Sequence, residues 1–346
     1  MKRADYDLAM MLKYENIAWY EDGCVKILDR RVYPMETRYE ICRSYQEVSL
    51  AIKNMVTQSE GPYLAAAMGM ALAMSEATEK SDPECLEILE DAAKCLSSAR
   101  PTTSNQMKGI VYGALELAKS LISEGYQKSE IVSKLQENAI NYVNQNYIKY
   151  AKIAKYLVDE IPDNGTVMTQ CFGGTIVGLM LRECKAQNKK IRVICAETRP
   201  YYQGARLTAS VACDMGFDVT VICDNMPAYV LKDQKVDLFT SASDVITMDG
   251  HIINKIGTFQ IALACKEFNI PYYCTGTPDI THKDLSSVKI EKRNPELVLE
   301  SLGTKITMDK VKGYYPAFDI TPPKYCTKII TDKGLFSCNE LDRYFD

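Results

Sequence analysis

Histidine and tryptophan are scarce in this chain, and long apolar runs are missing. The 346 residues include 2 histidines and 1 tryptophan. The 13 cysteines are scattered without a Cys-x-x-Cys pair, so no spacing is typical of a zinc site. A membrane-spanning helix needs roughly 18–20 consecutive apolar residues, and no run approaches that length. We therefore expect no bound metal and no association with a membrane.

Signals for secretion and for nucleic-acid binding are also lacking. The N-terminal residues Met1–Asp7 contain no apolar stretch of the kind found in secretory signals. A net charge of −4 gives no general attraction to nucleic acid. An odd number of cysteines favours free thiols in a reducing compartment over a disulfide framework. The sequence predicts a cytoplasmic protein that binds no nucleic acid.

The N-terminal part of the chain has a helical pattern that follows a small β element. The β-prone segments Ile17–Tyr20 and Cys24–Leu28 flank the turn signal Asp22-Gly23. Beyond Ser44, apolar residues recur at helical spacing as far as about Tyr147. We place a domain boundary near residues 145–150, which divides the chain into residues 1–147 and residues 148–346.

The second part alternates β-prone and helical runs, as βαβ units do. The predicted strands are Thr166–Gln170, Ile191–Ala196, Asp218–Cys223, Val236–Thr240 and Pro271–Thr275. The predicted helices include Gly174–Ala186, Gln203–Met215 and Gly257–Phe268. The chain is therefore expected to be an α/β protein, with a helical N-terminal domain carrying a small β element and a C-terminal domain built on a mainly parallel sheet.

Cys171 stands between the first of these strands and the pair Gly173-Gly174. Amides at a helix start bind anions and can stabilise a thiolate. Lowering the thiol pKa by about 1.5 units takes roughly 2 kcal/mol, within reach of such a site. A packed core thiol is the alternative. The glycines fit neither Gly-x-Gly-x-x-Gly nor a P-loop, so we expect no nucleotide cofactor.

Asp244 follows another predicted strand, Val236–Thr240. The carboxyl ends of parallel strands converge on one crevice, so Asp244 and Cys171 are candidates for one pocket. A short acid in this place suits a general acid or base, with a helix cap as the alternative. Four cations are candidates for phosphate binding or for ordinary surface charges: Arg100, Arg199, Arg206 and Lys255.

Long segments of this sequence are nearly identical to family motifs. They are Arg100-Pro101-Thr102-Thr103-Ser104-Asn105, Glu197-Thr198-Arg199-Pro200, Gln203–Ala209, Asp224-Asn225-Met226, Asn254–Thr258 and Pro316–Pro322. With these motifs the chain resembles the methylthioribose-1-phosphate isomerases, whose fold is shared with the regulatory subunits of translation initiation factor 2B and with ribose-1,5-bisphosphate isomerases. The resemblance covers nearly the whole chain.

The resemblance implies a fold and a set of site residues. The fold is a helical N-terminal domain joined to a Rossmann-like catalytic domain, paired as a homodimer. The catalytic pair carries over as Cys171 and Asp244. The implied substrate contacts are Glu60, Gly61, Arg100, Gly173, Gln203, Asn254 and Lys255. Neither metal nor nucleotide is implied, and the implied ligand is a small sugar phosphate.

The implied reaction turns an aldose 1-phosphate into a ketose 1-phosphate. Most directly it converts S-methyl-5-thioribose 1-phosphate to S-methyl-5-thioribulose 1-phosphate, a step of methionine salvage. A C1 phosphate locks the sugar as a cyclic acetal. Asp244, kept protonated by burial, can donate to the ring oxygen. Cys171 can then take the C2 proton on an enediol path, or a hydride can shift directly in a dry pocket.

Four departures from the family pattern cluster around the expected pocket. The Arg-Gly-Ala-Pro turn reads Ser59-Glu60-Gly61-Pro62, and Gly-Ala-Asp-Arg reads Ala242-Ser243-Asp244-Val245. Phe172 replaces an asparagine, and Ala-Pro-x-Ser-Thr reads Thr277–Thr281. Losing cations weakens an anion site, so either the substrate differs or the chain is a non-catalytic phosphosugar- or nucleotide-sensing protein like the initiation-factor relatives. The retained Cys171 favours the first reading.

Overall fold

The computed structural model describes residues 3–99 and 104–346 of the chain. Two compact units divide between Ile148 and Lys149. Among the helices of the described residues, none combines the length and the apolar character needed to span a membrane.

The first unit contains a three-stranded antiparallel sheet. Its strands are β1 (Ala18–Glu21), β2 (Cys24–Leu28) and β3 (Tyr39–Cys42), in the order β1-β2-β3. Asp22 and Gly23 connect the first two strands with φ values of 49° and 71°. Both angles are those of a two-residue hairpin turn that favours Asp-Gly, so the predicted hairpin is confirmed. The sequence pattern did not reveal β3, whose side chains are largely exposed.

The remaining structure of the first unit is helical. The helices are α1 (Tyr45–Lys53), α2 (Gly61–Glu76), α3 (Asp82–Ser97), α4 (Ser104–Ser123) and α5 (Lys128–Asp159). Helix α2 is buried almost throughout, and its alanines and glycines allow neighbouring helices to approach closely. A capping box of Ser81 and Glu84 begins α3: the Glu84 carboxylate accepts the backbone N–H of Ser81, and the Ser81 hydroxyl accepts the backbone N–H of Glu84.

Helix α5 corrects one sequence expectation. The helical pattern of the first domain was expected to end near Tyr147, at the predicted domain boundary. One continuous helix runs over this region, and the residue at which the units divide lies within it. Buried apolar side chains continue at intervals of about four residues through Ile131, Leu135, Ala139 and Val143, so nothing interrupts the helical pattern.

The second unit is built on a seven-stranded sheet in the order β15-β14-β10-β7-β4-β5-β6. Its strands are β4 (Thr166–Gln170), β5 (Arg192–Ala196), β6 (Asp218–Ile222), β7 (Leu238–Ala242), β10 (Tyr272–Thr275), β14 (Lys328–Thr331) and β15 (Gly334–Phe336). All neighbouring pairs are parallel except β14 and β15. The mainly parallel α/β fold is confirmed.

Four helices accompany this sheet: α6 (Gly174–Ala186), α7 (Ala209–Asp214), α8 (Pro227–Asp233) and α9 (Thr258–Glu267). A π-helix, Gly204–Thr208, leads directly into α7, where the sequence predicted one uniform helix. Ile261 and Cys265 of α9 are buried in the core of the sheet, and Phe268 packs against it. These side chains form an apolar stripe that faces the sheet.

A second, smaller sheet follows β7 in the order β13-β9-β8. Its strands are β8 (Val245–Ile246), β9 (Ile252–Lys255) and β13 (Phe318–Thr321), all antiparallel. The hairpin of β11 (Glu300–Ser301) and β12 (Thr304–Lys305) precedes β13. Strand β7 lies two residues later than predicted, so Asp244 falls in the short link between the two sheets.

Candidate active site

Cys171 occupies a strained turn at the carboxyl end of β4. Its φ of 59° lies in the left-handed region, which costs energy for any residue with a side chain. Its backbone N–H donates to Oγ1 of Thr198 at 2.8 Å, and its carbonyl accepts from Oγ1 of Thr208. Because both backbone groups are paired, the turn is held in place and the position of the side chain is defined.

Thr198 is itself held in a left-handed turn, at the end of the neighbouring strand β5. Its φ is 64°, and its N–H donates to Oδ1 of Asp224 at 2.8 Å. The other oxygen of Asp224 accepts the N–H of Arg199 at 2.6 Å. The turns that follow β4 and β5 are therefore joined, and Asp224 fixes the second of them from the end of β6.

Burial raises the pKa of the Cys171 thiol to about 11. The positive charges of Lys255 and Arg293 and a backbone hydrogen bond at Phe172 act in the opposite direction, but desolvation is the larger effect. The expectation that the start of α6 yields a thiolate is therefore wrong for the free protein. At neutral pH Cys171 is a neutral thiol.

Asp244 lies close enough to Cys171 for its negative charge to raise the pKa of the thiol. Its backbone N–H donates to the carbonyl of Ile253 at 2.9 Å, which ties the link after β7 to strand β9. The side chain of Asp244 is exposed. The sequence-based expectation that this carboxyl is buried is therefore wrong.

Asn254 and Lys255 are both buried, at the end of β9. The Nζ atom of Lys255 lies 4.7 Å from the centre of the Phe318 ring, a distance typical of a cation–π contact. The Nδ2 atom of Asn254 donates to Oγ1 of Thr258 at 3.1 Å. Nε2 of Gln170 donates to the carbonyl of Lys255 at 3.1 Å, so the last residue of β4 is tied to the end of β9.

Gln203 is buried, and its Oε1 atom has no hydrogen-bond partner within residues 3–99 and 104–346. The adjacent Gly204 begins the π-helix, an irregularity that is frequent at functional sites. A Cβ atom at Gly204 would lie 1.8 Å from the carbonyl oxygen of Ala196. Only glycine permits this approach to the end of β5, which places Gln203 beside the same strand ends as Cys171. Gly173 caps the start of α6.

Glu60 and Gly61 belong to the first unit, where they begin α2. The Glu60 side chain is buried and accepts a hydrogen bond from Nδ2 of Asn146 at 3.2 Å. Ser59 precedes it with a φ of 58°. A Cβ atom at Gly61 would lie 1.7 Å from Oγ1 of Thr57, so glycine is required there. Arg100 lies outside the described residues.

Sequence reasoning missed two residues beside Cys171. The guanidinium of Arg293 lowers the pKa of the thiol, and the thiol raises the pKa of the Tyr315 phenol, yet both residues lie in irregular chain more than a hundred positions away. No strand-end pattern marks them. Arg199, a predicted phosphate candidate, is instead occupied: its Nη2 donates to the carbonyl of Glu300 at 2.7 Å and its Nη1 to the hydroxyl of Tyr202 at 2.7 Å.

The described part of the chain contains no group of three or more His, Cys, Asp or Glu side chains placed to hold a metal ion. The groups gathered at the strand ends are the thiol of Cys171, the exposed carboxyl of Asp244, the buried cation Lys255 and the nearly buried cation Arg293. This arrangement can transfer protons and bind anionic oxygen.

Comparison with known families decides the class of protein. The initiation factor 2 subunit family matches residues 56–338. This chain belongs to that family. Methylthioribose-1-phosphate isomerase of Thermosipho africanus is 33% identical over 337 residues, which cover 94% of this chain and 96% of the relative. The corresponding enzyme of Caldanaerobacter subterraneus is 33% identical, covering 91% and 94%.

Solved structures of family members have the same fold as this chain. The structure of 5-methylthioribose 1-phosphate isomerase from Pyrococcus horikoshii has a TM-score of 0.82 and 30% identity, covering 95% of this chain and 94% of its own. The structure of translation initiation factor eIF-2B, subunit delta, from A. fulgidus has a TM-score of 0.80 and 31% identity, covering 93% and 96%. The resemblance inferred from sequence motifs is confirmed for this member of the family.

Proposed function

We propose that this family member is an aldose–ketose isomerase that converts S-methyl-5-thioribose 1-phosphate, or a close analogue, into the corresponding ketose 1-phosphate. One observation carries the proposal: at the strand ends, Cys171 lies close enough to Asp244 and Lys255 for their charges to shift the pKa of its thiol. A carboxyl that can transfer protons, next to a thiol and a buried cation, suits a phosphorylated sugar. Relatives named for this reaction, with similar length and about one-third identity, support the choice of substrate.

Asp244 acts first in the proposed mechanism. Its carboxyl donates a proton to the ring oxygen of the sugar, and the bond between that oxygen and C1 breaks. Asp244 is exposed in the free protein, so burial does not favour its protonated form. In this mechanism the bound substrate favours it. A phosphate dianion close to a carboxylate raises the pKa of the carboxyl, since two negative charges repel each other. Substrate binding thus favours the protonated form of Asp244 that the first step requires.

Hydrogen then moves from C2 to C1. Because the pKa of Cys171 is raised to about 11, a thiolate base is scarce at neutral pH, and we favour the hydride shift over the enediol path. The hydride leaves C2 with its bonding electrons and binds the cationic C1. The C2 hydroxyl becomes the ketone and returns its proton to the Asp244 carboxylate. The neutral Cys171 thiol lines the reacting face and excludes water.

The other predicted site residues take binding roles in this proposal. Lys255 and Arg100 bind the phosphate, and the amide at Gly173 supports it at the start of α6. Gln203 and Asn254 hold sugar hydroxyls. The Oε1 atom of Gln203 is buried and has no partner among the described residues, which suits an acceptor for a ligand hydroxyl. Glu60 and Gly61 remain proposed contacts of the substrate.

The second candidate function is phosphosugar or nucleotide sensing without catalysis. Glu60, in the turn that has lost the family's arginine, favours it, because a carboxylate repels phosphate. The similarity to the initiation factor eIF-2B delta subunit favours it equally. A sensor has no need of a thiol and an acid brought together at strand ends, so we prefer the isomerase.

A panel of aldose 1-phosphates, followed by ³¹P NMR, separates the two functions. The isomerase predicts conversion of at least one member into a ketose 1-phosphate. Absence of turnover for every member, combined with micromolar binding of a nucleotide, would establish the sensor instead. The panel should vary the C5 substituent, since the departures at Glu60 and Phe172 bear on substrate choice.

We further propose a homodimer in the cytoplasm. All thirteen cysteines are free thiols, which suits a reducing compartment. Pairing as a dimer rests on the family resemblance alone. Sedimentation equilibrium tests it directly: a mass near twice that of the chain supports the dimer, and the mass of one chain excludes it.

A further inference from the structure

Arg293 is fixed in irregular chain that runs beside strand β13. Its backbone N–H donates to the carbonyl of Tyr315 at 3.0 Å. Its guanidinium lies 5.6 Å from the centre of the Phe318 ring and 5.9 Å from that of Tyr201. Phe318 is also the ring that Lys255 contacts. Two cations therefore share one aromatic side chain next to Cys171.

One side of this guanidinium is hydrogen-bonded to Glu291, and the nitrogen on the other side is not. Nε donates to Oε1 of Glu291 at 2.9 Å, and Nη2 donates to Oε2 at 3.3 Å. The Arg293 side chain is only 9% exposed, yet Nη1 has no hydrogen-bond partner in the described part of the chain. A buried N–H without a partner is costly, so such a group points to a ligand atom.

Tyr315 provides a second donor of the same kind. It is 4% exposed, and its hydroxyl has no well-aligned hydrogen-bond partner within the described residues. The Arg293 guanidinium and the Cys171 thiol both influence the pKa of this phenol, although burial dominates and raises it. A hydrogen-bonding interaction with Arg293 lowers the pKa of the phenol, but its geometry satisfies neither Nη1 nor the hydroxyl. The three groups therefore lie close together, and both donors can still turn to a ligand oxygen.

The charge of the pair decides what kind of oxygen fits. Glu291 compensates the charge of Arg293 through two parallel hydrogen bonds. A phosphate dianion gains little from a cation whose charge a carboxylate already compensates. A neutral Arg–Glu pair and a phenol suit a hydroxyl, a carbonyl or an alkoxide oxygen.

We propose that Arg293 Nη1 and Tyr315 Oη are substrate-binding donors, and that they hold the oxygen on C2, the carbon that becomes the ketone. This inference rests on the proposed isomerase function and adds to it the residues that recognise the reacting hydroxyl. The two donors fix the position of this oxygen while the hydride leaves C2 and the hydroxyl proton passes to Asp244. Lys255 remains the phosphate ligand.

Binding of two sugars that differ only at C2 tests this assignment without turnover. In an Asp244→Asn background, calorimetry compares ribose 1-phosphate with 2-deoxyribose 1-phosphate. We expect the ribose compound to bind about tenfold or more tightly, because a site built for a hydroxyl rejects the analogue that lacks it. Adding Tyr315→Phe or Arg293→Met should abolish this preference.

Matched controls lie next to each residue. Tyr314 and Lys292 are exposed neighbours, so Tyr314→Phe and Lys292→Met should leave the preference unchanged. Inorganic phosphate, used as a competitor, should bind equally well to the parent, Tyr315→Phe and Arg293→Met. A preference that survives both substitutions, or a parallel loss of phosphate binding in Arg293→Met, would overturn the assignment to the C2 oxygen.

Turnover separates this inference from the broader function. If the wild-type chain isomerises methylthioribose 1-phosphate and Arg293→Lys and Tyr315→Phe both retain wild-type kcat and KM, the inference fails while the isomerase stands. If the wild type converts no sugar but the C2 preference depends on Tyr315, the isomerase fails while the binding site stands. We expect kcat/KM to fall by about tenfold or more in each variant.

Discussion

The backbone N–H of Cys171 donates to Oγ1 of Thr198 across 2.8 Å. Both residues have left-handed φ values, and they end neighbouring parallel strands. One threonine hydroxyl therefore sets the orientation of the turn that presents the thiol. Strained turns persist only where the surrounding structure holds them, so the position of the thiol depends on this hydrogen bond.

Removing this hydroxyl should damage activity more than folding. Thr198→Val keeps the branched shape but leaves the Cys171 N–H unpaired, at a cost of about 1–3 kcal/mol. We expect kcat to fall by about tenfold or more, with a smaller change in KM. Steady-state kinetics and thermal unfolding measure the two effects. Thr198→Ser restores the acceptor and should retain most of the activity; equal kcat in Thr198→Val and wild type would contradict the role.

The state of Cys171 predicts the route that hydrogen takes. With a thiol pKa of about 11, only about one molecule in ten thousand carries a thiolate at pH 7. In D₂O we therefore expect protium at C1 of the product at early times, as a direct hydride shift requires. ¹H NMR of the product measures this. Deuterium at C1 in near-stoichiometric amount would show proton transfer through a base and would revive the enediol path.

Much of the second unit could be predicted from the chain alone. The limits of β4 and α6 agree with the predicted segments residue for residue, because a short β-prone run followed by a Gly-Gly turn leaves little choice. Their convergence with β7 near Cys171 follows from parallel pairing. The small sheet that carries Lys255 was not foreseen, since β8 has two residues and β9 has four.

The electrostatics of the site could not be predicted in the same way. Proximity of Cys171 to a helix start suggested a low pKa, yet burial outweighs that influence. Burial depends on what packs over the thiol, which no local pattern encodes. Arg293 was missed for the same reason: long-range contact through irregular chain brings it to the site, and only the folded structure shows that one of its nitrogens has no partner among the described residues.

Asp319 gives the structure a dependence on pH. Its Oδ2 atom accepts the N–H groups of Gly257 at 2.7 Å and Phe259 at 3.1 Å, which caps α9. Burial nevertheless raises the pKa of this carboxyl to about 6. The folded state thus binds a proton more tightly than the unfolded chain, so this contribution to stability is present below about pH 4 and is lost as pH rises through 6.

The Asp319→Asn variant tests this linkage. We expect the free energy of unfolding of the wild type to decrease by roughly 1–3 kcal/mol between pH 4 and pH 6.5 through this residue, and the variant to lack that decrease. Urea unfolding at a series of pH values measures both curves. Parallel curves for the two proteins would show that Asp319 has an ordinary pKa in the folded state.

Glu60 offers a test of substrate choice. The side chain is buried and held by Asn146. As a proposed contact to a sugar hydroxyl it is worth roughly 1.5–3 kcal/mol, or one to two decades in binding. Glu60→Gln should raise KM for the preferred substrate by about tenfold or more and change KM for methylthioribose 1-phosphate much less. Small, equal effects on both substrates would remove Glu60 from the specificity and leave the ordinary isomerase assignment.

Conversion of methylthioribose 1-phosphate, followed by ³¹P NMR in the wild type and two variants, tests the central claim most directly. We predict a ketose 1-phosphate signal with wild type and a loss of at least about a hundredfold in Asp244→Asn, which lacks the proton-transferring carboxyl, and in Cys171→Ser, which places a water-binding hydroxyl on the reacting face. Cys223→Ala, at an exposed thiol, should retain full activity. Unchanged turnover in either site variant, with the fold intact by circular dichroism, would contradict the account.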